Sequence, residues 1–276
     1  MRRLSWLVLA ATLTGALALT TAASGSGPSP GLTHDLAAGN VRYVAVASGG
    51  RTFVAVETAE TARTLRQMSL KGTWGIQLVA YDGSAEGLFP DGRTLLLAQS
   101  LYSGQTVRKT TRFALVDTRA MKRRTTIRIP GAFTFDAVSP SGRYLYLIEY
   151  PSQGDALLYR VRAYDLKAGR LLARIVSDKR SWETDMHGMP ISRTWKDDWA
   201  YTLYSGNSQT FIHALNTRGL QAVCIDLPWK TTPDRIFDFR LRLDGDGHLV
   251  VRGPNGRALA VIDRQTYKVL SSVRNP

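Results

Sequence analysis

The sequence predicts an all-β protein, folded as a β-propeller of about five or six four-stranded blades. Three observations predict this fold class. A short side-chain pattern recurs at a nearly constant spacing, glycine-containing turns separate apolar runs with strand alternation, and helical periodicity is nearly absent. The chain has 276 residues, of which 44% are hydrophobic, so it is long enough and apolar enough to bury a sizeable core.

The N-terminal residues 1–23 have the tripartite layout of a secretory signal peptide. Two arginines precede an apolar stretch that runs to Leu19, and small residues end at Ala23, after which we expect cleavage. An uncleaved membrane anchor is the alternative, since the apolar run approaches spanning length. We predict a secreted or extracytoplasmic protein with no transmembrane span after cleavage, a flexible leader over residues 24–40, and a single propeller domain over residues 41–276.

Five polar markers organise the predicted domain, and each ends an alternating apolar stretch. Their spacings are 60, 48, 51 and 47 residues, and the markers are Glu57, Asp117, Asp165, Asn216 and Asp263. The positions four and two residues before each marker are apolar and share one face of a strand. We therefore expect one face of every blade to be strictly buried, formed by the pairs Phe53 and Ala55, Phe113 and Leu115, Val161 and Ala163, Ile212 and Ala214, and Leu259 and Val261.

Small polar turns lead into the apolar runs at residues 90–93, 140–143 and 244–247, and they predict hairpins. A further strand follows each marker, including one over residues 61–70. A unit of about 50 residues with four strands has the length of a propeller blade. A β-sandwich with accidental periodicity is the alternative. We expect ring closure to join residues 41–47 to residues 269–273, because a closed ring has no exposed sheet edge.

Two turn strings carry a family resemblance, and each precedes an alternating strand and an acidic turn. The strings are PDGR at residues 90–93 and PSGR at residues 140–143. They resemble YVTN-type and TolB-like β-propeller repeats, and the chain as a whole looks like exported actinobacterial propeller proteins. The resemblance covers nearly all of the mature chain. It implies a scaffold for protein or cell-envelope interactions, and it transfers no catalytic residue.

The sequence predicts no short catalytic or metal-binding motif within the propeller domain. The string G-x-S-x-G occurs only at residues 27–31, in the predicted leader, and the four histidines have no partner at i+2 or i+4. We therefore predict no catalytic residues, no metal site and no cofactor. The run Asp244-Gly245-Asp246-Gly247 lacks the remainder of a calcium loop, and we interpret it as a turn. The alternative function is a propeller enzyme, a hydrolase, lactonase or lyase, whose site is gathered from several blades on the central channel.

One segment breaks the rhythm of the units, residues 181–193 between the third and fourth full units. Loops that exceed the repeat often lie on the binding face of a repeat protein. The candidate binding residues are Trp182, Asp185, His187 and Arg193. The alternative is a long loop that packs over its own tryptophan and methionine. Cys224, the one cysteine, is predicted to be a buried small side chain, so no internal disulfide is possible.

The chain is strongly basic, with 36 basic against 22 acidic residues and a formal charge of +14. Residues 108–128 carry eight basic residues and one acid. Within them, Lys122, Arg123 and Arg124 are predicted to face solvent as an anion-binding patch, the alternative being a rim that aids solubility. We expect an exported, monomeric, non-enzymatic binding protein whose partner is a protein or an anionic cell-envelope component. Export argues against nucleic acid as the partner.

Overall fold

The computed structural model describes residues 29–104, 106–152, 154–178, 185–206, 209–231, 233–274 and 276. Within these residues no helix has the length and apolar character needed to cross a membrane. The elements are β1 (Leu32–Thr33), β2 (Asp35–Ala38), β3 (Val41–Ser48), β4 (Arg51–Thr58), β5 (Thr64–Lys71), β6 (Ile76–Leu78), β7 (Ala85–Glu86), β8 (Thr94–Ala98), β9 (Tyr102–Ser103), β10 (Thr106–Val107), β11 (Thr110–Asp117), β12 (Lys122–Pro130), β13 (Phe133–Val138), β14 (Tyr144–Glu149), β15 (Leu158–Asp165), β16 (Arg170–Val176), β17 (Met186–His187), β18 (Met189–Lys196), β19 (Trp199–Ser205), β20 (Thr210–Asn216), β21 (Gln221–Asp226), α1 (Pro233–Ile236), β22 (Arg240–Leu243), β23 (Leu249–Arg252), β24 (Ala258–Ile262) and β25 (Val269–Ser272).

The larger antiparallel sheets follow one another along the chain. We number them sheet 1 (β2–β5), sheet 2 (β8, β11 and β12), sheet 3 (β13–β16), sheet 4 (β18–β21) and sheet 5 (β22–β25). Sheets 1, 3, 4 and 5 each have four strands that pair in sequence order, and β17 adds to β15. A small sheet of β1, β6 and β7 lies beside sheet 2, because Gly75 and Leu88 bridge to β8.

Each sheet packs on the next one in sequence, and the four interfaces form the core. Representative fully buried side chains are Val54 and Leu97 between sheets 1 and 2, and Phe113 and Leu147 between sheets 2 and 3. Tyr159 and Tyr204 lie between sheets 3 and 4, and Ile212 and Leu249 lie between sheets 4 and 5. A row of meandering sheets that stack face to face is the arrangement expected of propeller blades.

Strand pairing does not close the row in the part of the chain that the structure describes. Val41–Ser48 pairs with β2 and β4 of its own sheet, and Val269–Ser272 pairs with β24 of its own sheet. The predicted closure of residues 41–47 onto residues 269–273 is therefore wrong. Sequence alternation identifies both segments as strands, but it does not specify the partner of a strand.

Four of the five markers close the turn that follows β11, β15, β20 or β24. One side-chain oxygen of Asp117 accepts hydrogen bonds from the amides of Arg119 at 3.0 Å and Ala120 at 2.8 Å. Asp165, Asn216 and Asp263 make the same pair of bonds to the amides two and three residues later. These bonds stabilise the turn, which explains why the residue type recurs. Glu57 differs, since its carboxylate pairs with Arg42 at 2.8 Å.

The strictly buried face predicted for every blade is found in sheets 2, 3 and 4 but not in sheet 1, and in sheet 5 Leu259 is buried while Val261 is only half-buried. Val161 and Ala163 are fully buried, whereas Phe53 is 56% exposed. In sheet 1 the opposite face is buried, through Val54 and Val56. The physical reason is position: sheet 1 begins the row, so only its face toward sheet 2 is covered.

The boundary predicted between leader and domain lies too late in the sequence. Within residues 24–40, Leu32–Thr33 pairs with β6, and Asp35–Ala38 pairs with β3. The turn between β2 and β3 is made by Gly39 at φ 60°, a conformation that glycine adopts without strain. The strand predicted over residues 61–70 is confirmed as Thr64–Lys71. The predicted signal peptide lies outside the described residues.

Candidate functional site

The segment predicted as a long binding loop is in part a sheet strand. Met189–Lys196 pairs along its length with β19, so Arg193 lies within sheet 4 and that part of the loop prediction is wrong. Residues 190–193 are consecutively buried, as in a strand covered on both faces, and the irregular spacing of the segment concealed this strand. Trp182 lies outside the described residues, so its predicted role is not addressed by the structure.

Asp185 and His187 lie beside sheet 3, where both contact charged residues. The Arg160 guanidinium donates to both carboxylate oxygens of Asp185, and His187 Nε2 lies 2.9 Å from the carboxylate of Asp155. Arg193 instead contacts Glu86 and Asp136. The three candidate residues that the structure describes therefore have separate partners, and the binding role of the segment stays a prediction.

Arg193 is the centre of a group that we call the central cluster, in which Asp136 and Arg193 are buried and Glu86 and Trp195 are half-buried. The Arg193 side chain is 3% exposed. Its guanidinium donates to the carboxylate of Asp136, and its Nη1 lies 3.3 Å from Glu86 Oε1. Trp195 Nε1 donates to the same Glu86 oxygen at 2.6 Å. Because these residues belong to β7, β13 and β18, the cluster links three segments that are far apart in sequence.

Burial dominates the electrostatics of the central cluster. It raises the pKa of Glu86 to about 7, although Arg193 and Trp195 both favour the charged carboxylate. Burial opposes the charge of Arg193, but Asp136 and Glu86 hold the pKa of Arg193 above its ordinary value. Burial also lowers the pKa of nearby His213 to about 4. The two carboxylates are thus engaged with Arg193 and Trp195, an arrangement that ties sheets together.

A hairpin explains both the central cluster and the irregular first spacing. Residues 76–86 leave the inner edge of sheet 2 and contact sheet 4, where Asp82 Oδ2 accepts hydrogen bonds from Ser192 Oγ at 2.6 Å and from the Arg193 amide at 3.2 Å. Ser192 Oγ in turn accepts from the amide of Leu241 in sheet 5. The spacing of 60 residues could have indicated an insertion, but no sequence signal indicated where its carboxylates lie.

The predicted anion patch lies at the start of β12, the edge strand of sheet 2, and Lys122, Arg123 and Arg124 are all exposed. Arg124 is balanced, because its guanidinium pairs with Asp117 at 2.7 Å. Lys122 and Arg123 have no carboxylate within 4.0 Å among the residues that the structure describes. The three residues therefore differ in how much free charge they offer.

A cleft of about 730 Å³ lies next to this patch, between the end of sheet 1 and sheet 2. We call it the basic cleft, and its lining residues are Lys71, Gly72, Trp74, Gln99, Arg112, Arg123, Arg124, Thr125, Thr126 and Arg128. Lys122 is not among them. Five of the ten lining residues are cationic and none is acidic. Sequence reasoning found Arg123 and Arg124, whereas it did not connect Lys71 of sheet 1 with Arg112 and Arg128 of sheet 2.

Two arginines of the basic cleft stand directly opposite each other on neighbouring strands. Arg112 of β11 and Arg128 of β12 are paired residues in the antiparallel register. Like charges at such positions destabilise a sheet. No described carboxylate lies within 4.0 Å of either guanidinium. Thr126 on the same wall has a buried hydroxyl without a partner in the described structure. This arrangement is suited to an anion that supplies the missing negative charge and hydrogen-bond acceptors.

The turn at residues 244–247 brings three residues with metal-ligating side chains together. Oxygens or nitrogens of Asp244, Asp246 and His248 lie within 4.8 Å of one another. However, Asp244 Oδ1 accepts the amides of Asp246 and His248, and Asp244 Oδ2 lies 3.3 Å from His248 Nδ1. These contacts are those of a side-chain-stabilised turn. Cys224 is half-buried rather than fully buried, with its sulfur 3.8 Å from that of Met186.

Comparison with known proteins shows the fold alone. No family model and no curated protein matches the chain. Among solved structures, the dihydro-heme d1 dehydrogenase NirN in complex with DHE has a TM-score of 0.50 and 14% identity over 85% of this chain. The chain spans 44% of that structure, less than half its length. The Cps50 (Swd1) β-propeller domain of Myceliophteria thermophila has a TM-score of 0.49 and 12% identity, covering 86% of this chain and 67% of that one.

A protein described as a TolB of Agrobacterium tumefaciens also matches, with a TM-score of 0.43 and 13% identity over 68% of this chain and 62% of that one. The described part of the chain is all-β apart from the four-residue helix α1, and its structural neighbours include β-propellers. No family or sequence relative supports the YVTN type or the actinobacterial origin, so both stay predictions. The neighbours include enzymes and propeller domains without a named activity, and they do not specify a function.

Proposed function

We propose that the chain is an exported, non-enzymatic β-propeller, with sheets 1 to 5 as its blades, that binds an anionic cell-envelope polymer in the basic cleft. The observation that carries the proposal is the cleft itself, which has five cationic and no acidic side chains in its lining. Export is argued from the signal-peptide layout of residues 1–23. The strand edges and turns supply a rigid frame for the cationic side chains.

The charge of the basic cleft favours a polymer over a small anion. Lys71, Arg112, Arg123 and Arg128 have no carboxylate partner in the described residues, and their side chains form no hydrogen bond there. They come from two sheets and are spread over a cleft of about 730 Å³. A spread of unpaired cations attracts a chain of repeated negative charges, and the attraction weakens with salt.

The central cluster supports a binding role over the enzyme alternative. A catalytic acid or base must reach a proton on a substrate. The carboxylates of Glu86 and Asp136 instead contact Arg193 and Trp195 inside the protein. Their shared role is to hold β7, β13 and β18 together at the centre of the row of sheets.

The test is co-sedimentation of the chain with purified cell walls at low and physiological salt. The test variant is Arg112→Gln, Arg123→Gln and Arg128→Gln together, which removes three charges from the cleft. The matched control is Arg63→Gln, Arg174→Gln and Arg257→Gln, which removes three exposed arginines outside it. Arg124 is retained because it pairs with Asp117 and its loss would perturb that turn.

We expect the test variant to bind cell walls at least tenfold more weakly, and the control to keep most of its binding. Melting temperatures of the two variants should match that of wild type within a few degrees. Equal retention of the test variant and wild type would contradict the proposal. Stronger retention on anionic liposomes than on cell walls would also contradict it and would point to a lipid surface.

A further inference from the structure

Sheet 5 carries a second set of arginines on the face that does not pack on sheet 4. Leu241, Leu249 and Val251 belong to the core between sheets 4 and 5. Because side chains alternate along a strand, the direct neighbours of these core residues point to the other face. On β22 the neighbours of Leu241 are Arg240 and Arg242, and on β23 the residue after Val251 is Arg252.

These arginines line a cleft of about 450 Å³ that we call the sheet 5 cleft. Its lining residues are Asp238, Arg240, Arg242, Arg252, Gly253, Pro254 and Gly256. The lining thus has three guanidinium groups and one carboxylate. Arg240 and Arg252 are directly opposite residues in the register of β22 and β23. As in the basic cleft, two like charges face each other across neighbouring strands, which is unfavourable without an anion between them.

Unlike the cations of the basic cleft, these arginines are held in place by the backbone. Arg240 Nη1 donates to the carbonyls of Phe237 at 2.6 Å and Phe239 at 2.9 Å. Arg252 Nη1 donates to the carbonyl of Gly256 at 2.9 Å, and Arg242 Nη1 to its neighbour Leu241 at 2.8 Å. Fixing one nitrogen of a guanidinium orients its planar fork.

The other edge of each guanidinium is available to a ligand. Nε and Nη2 of the three arginines form no hydrogen bond with the described residues. No described carboxylate lies within 4.0 Å of Arg240 or Arg252, and the one near Arg242 is the buried Asp82 at 3.9 Å. The Nε and Nη2 edge of arginine is a bidentate donor that matches two oxygens of a phosphate or carboxylate.

We propose that the sheet 5 cleft is a binding site for a phosphate group. Arg242 has the buried carboxylate of Asp82 at 3.9 Å, whereas Arg240 and Arg252 have no described carboxylate within 4.0 Å. Two unpaired guanidiniums in one cleft match the charge and the oxygens of a phosphate dianion better than those of a single carboxylate. The site is separate from the basic cleft, because it lies on sheet 5 rather than between sheets 1 and 2. It also differs in kind, since its arginines are positioned in advance by backbone carbonyls.

The test is calorimetric titration of the chain with inorganic phosphate at pH 7.5 and low salt, with sulfate and acetate as parallel ligands. The test variant is Arg240→Gln with Arg252→Gln. The control is Arg257→Gln, an exposed arginine in the turn between β23 and β24 that does not line the cleft. We expect the test variant to bind phosphate at least tenfold more weakly and the control to bind like wild type. Acetate should bind more weakly than phosphate.

Phosphate affinity of the test variant equal to that of wild type would overturn the proposal. The proposal would also be overturned if the triple variant of the basic cleft lost phosphate binding while Arg240→Gln with Arg252→Gln retained it. The phosphate would then bind in the basic cleft. A second measurement does not depend on calorimetric affinity. Without phosphate, Arg252→Gln should raise the melting temperature by relieving the like-charge pair, and it should abolish the rise that phosphate causes in wild type.

Discussion

Replacing Glu86 by glutamine should change how the stability of the protein depends on pH. Glutamine has nearly the shape of protonated glutamate, and its carbonyl oxygen can accept the hydrogen bond that Trp195 Nε1 donates at 2.6 Å. Burial raises the pKa of Glu86 from 4.5 to about 7. Over that range the folded protein holds a proton that the unfolded chain has released, so the stability that Glu86 contributes is present below pH 4.5 and is lost as the pH rises through 7.

The magnitude follows from the two pKa values. Linkage between protonation and folding gives a loss of about 2.5 kcal/mol of unfolding free energy for wild type between pH 5 and pH 8. Wild type alone does not display this slope, because burial lowers the pKa of His213 from 6.5 to about 4. The contribution of His213 has the opposite sign: it is present above pH 6.5 and is lost as the pH falls through 4. The difference between variant and wild type isolates Glu86.

Urea unfolding of wild type and Glu86→Gln at pH 5, 6, 7 and 8 measures this difference. From pH 5 to pH 8 we expect the unfolding free energy of the variant to rise by about 2.5 kcal/mol relative to that of wild type. Glu60→Gln, at an exposed position, is the control, and its unfolding free energy should differ from that of wild type by the same amount at every pH. A difference for Glu86→Gln that stays constant within about 0.5 kcal/mol would refute the reasoning, because Glu86 would then titrate alike in the folded and unfolded chain.

Two further predictions concern the core. Ala163→Asp places a carboxylate in the fully buried interface of sheets 3 and 4, so we expect little soluble protein. The control Lys167→Asp, on the exposed turn, should fold. A normal yield and melting temperature for Ala163→Asp would contradict the assignment of that face to the core. Arg193→Met leaves Asp136 buried without its partner and should cost about 3–5 kcal/mol in urea unfolding, a value that a loss below about 1 kcal/mol would contradict.

The sequence by itself determined the fold class and the repeat. Strand alternation and polar turn residues act locally, since a strand presents every second side chain to one face and an Asp or Asn side chain bonds the amides two and three residues later. For that reason the turns after Asp117 and Asp165, and the strand at Thr64–Lys71, were predictable. The exposed cations at the start of β12 were predictable too, because an edge strand with a run of charge faces solvent.

The tertiary structure alone decided which segments meet. The contact of Arg193 with Asp136 spans 57 residues and its contact with Glu86 spans 107, and no pattern within either segment encodes the partner. The same holds for Phe53, whose apolar character matches that of Val161 but whose face has no neighbouring sheet. The basic cleft depends on Lys71 and Arg128 reaching one space from different sheets. Charge and alternation are properties of short segments, whereas burial and pairing depend on the packing of whole sheets.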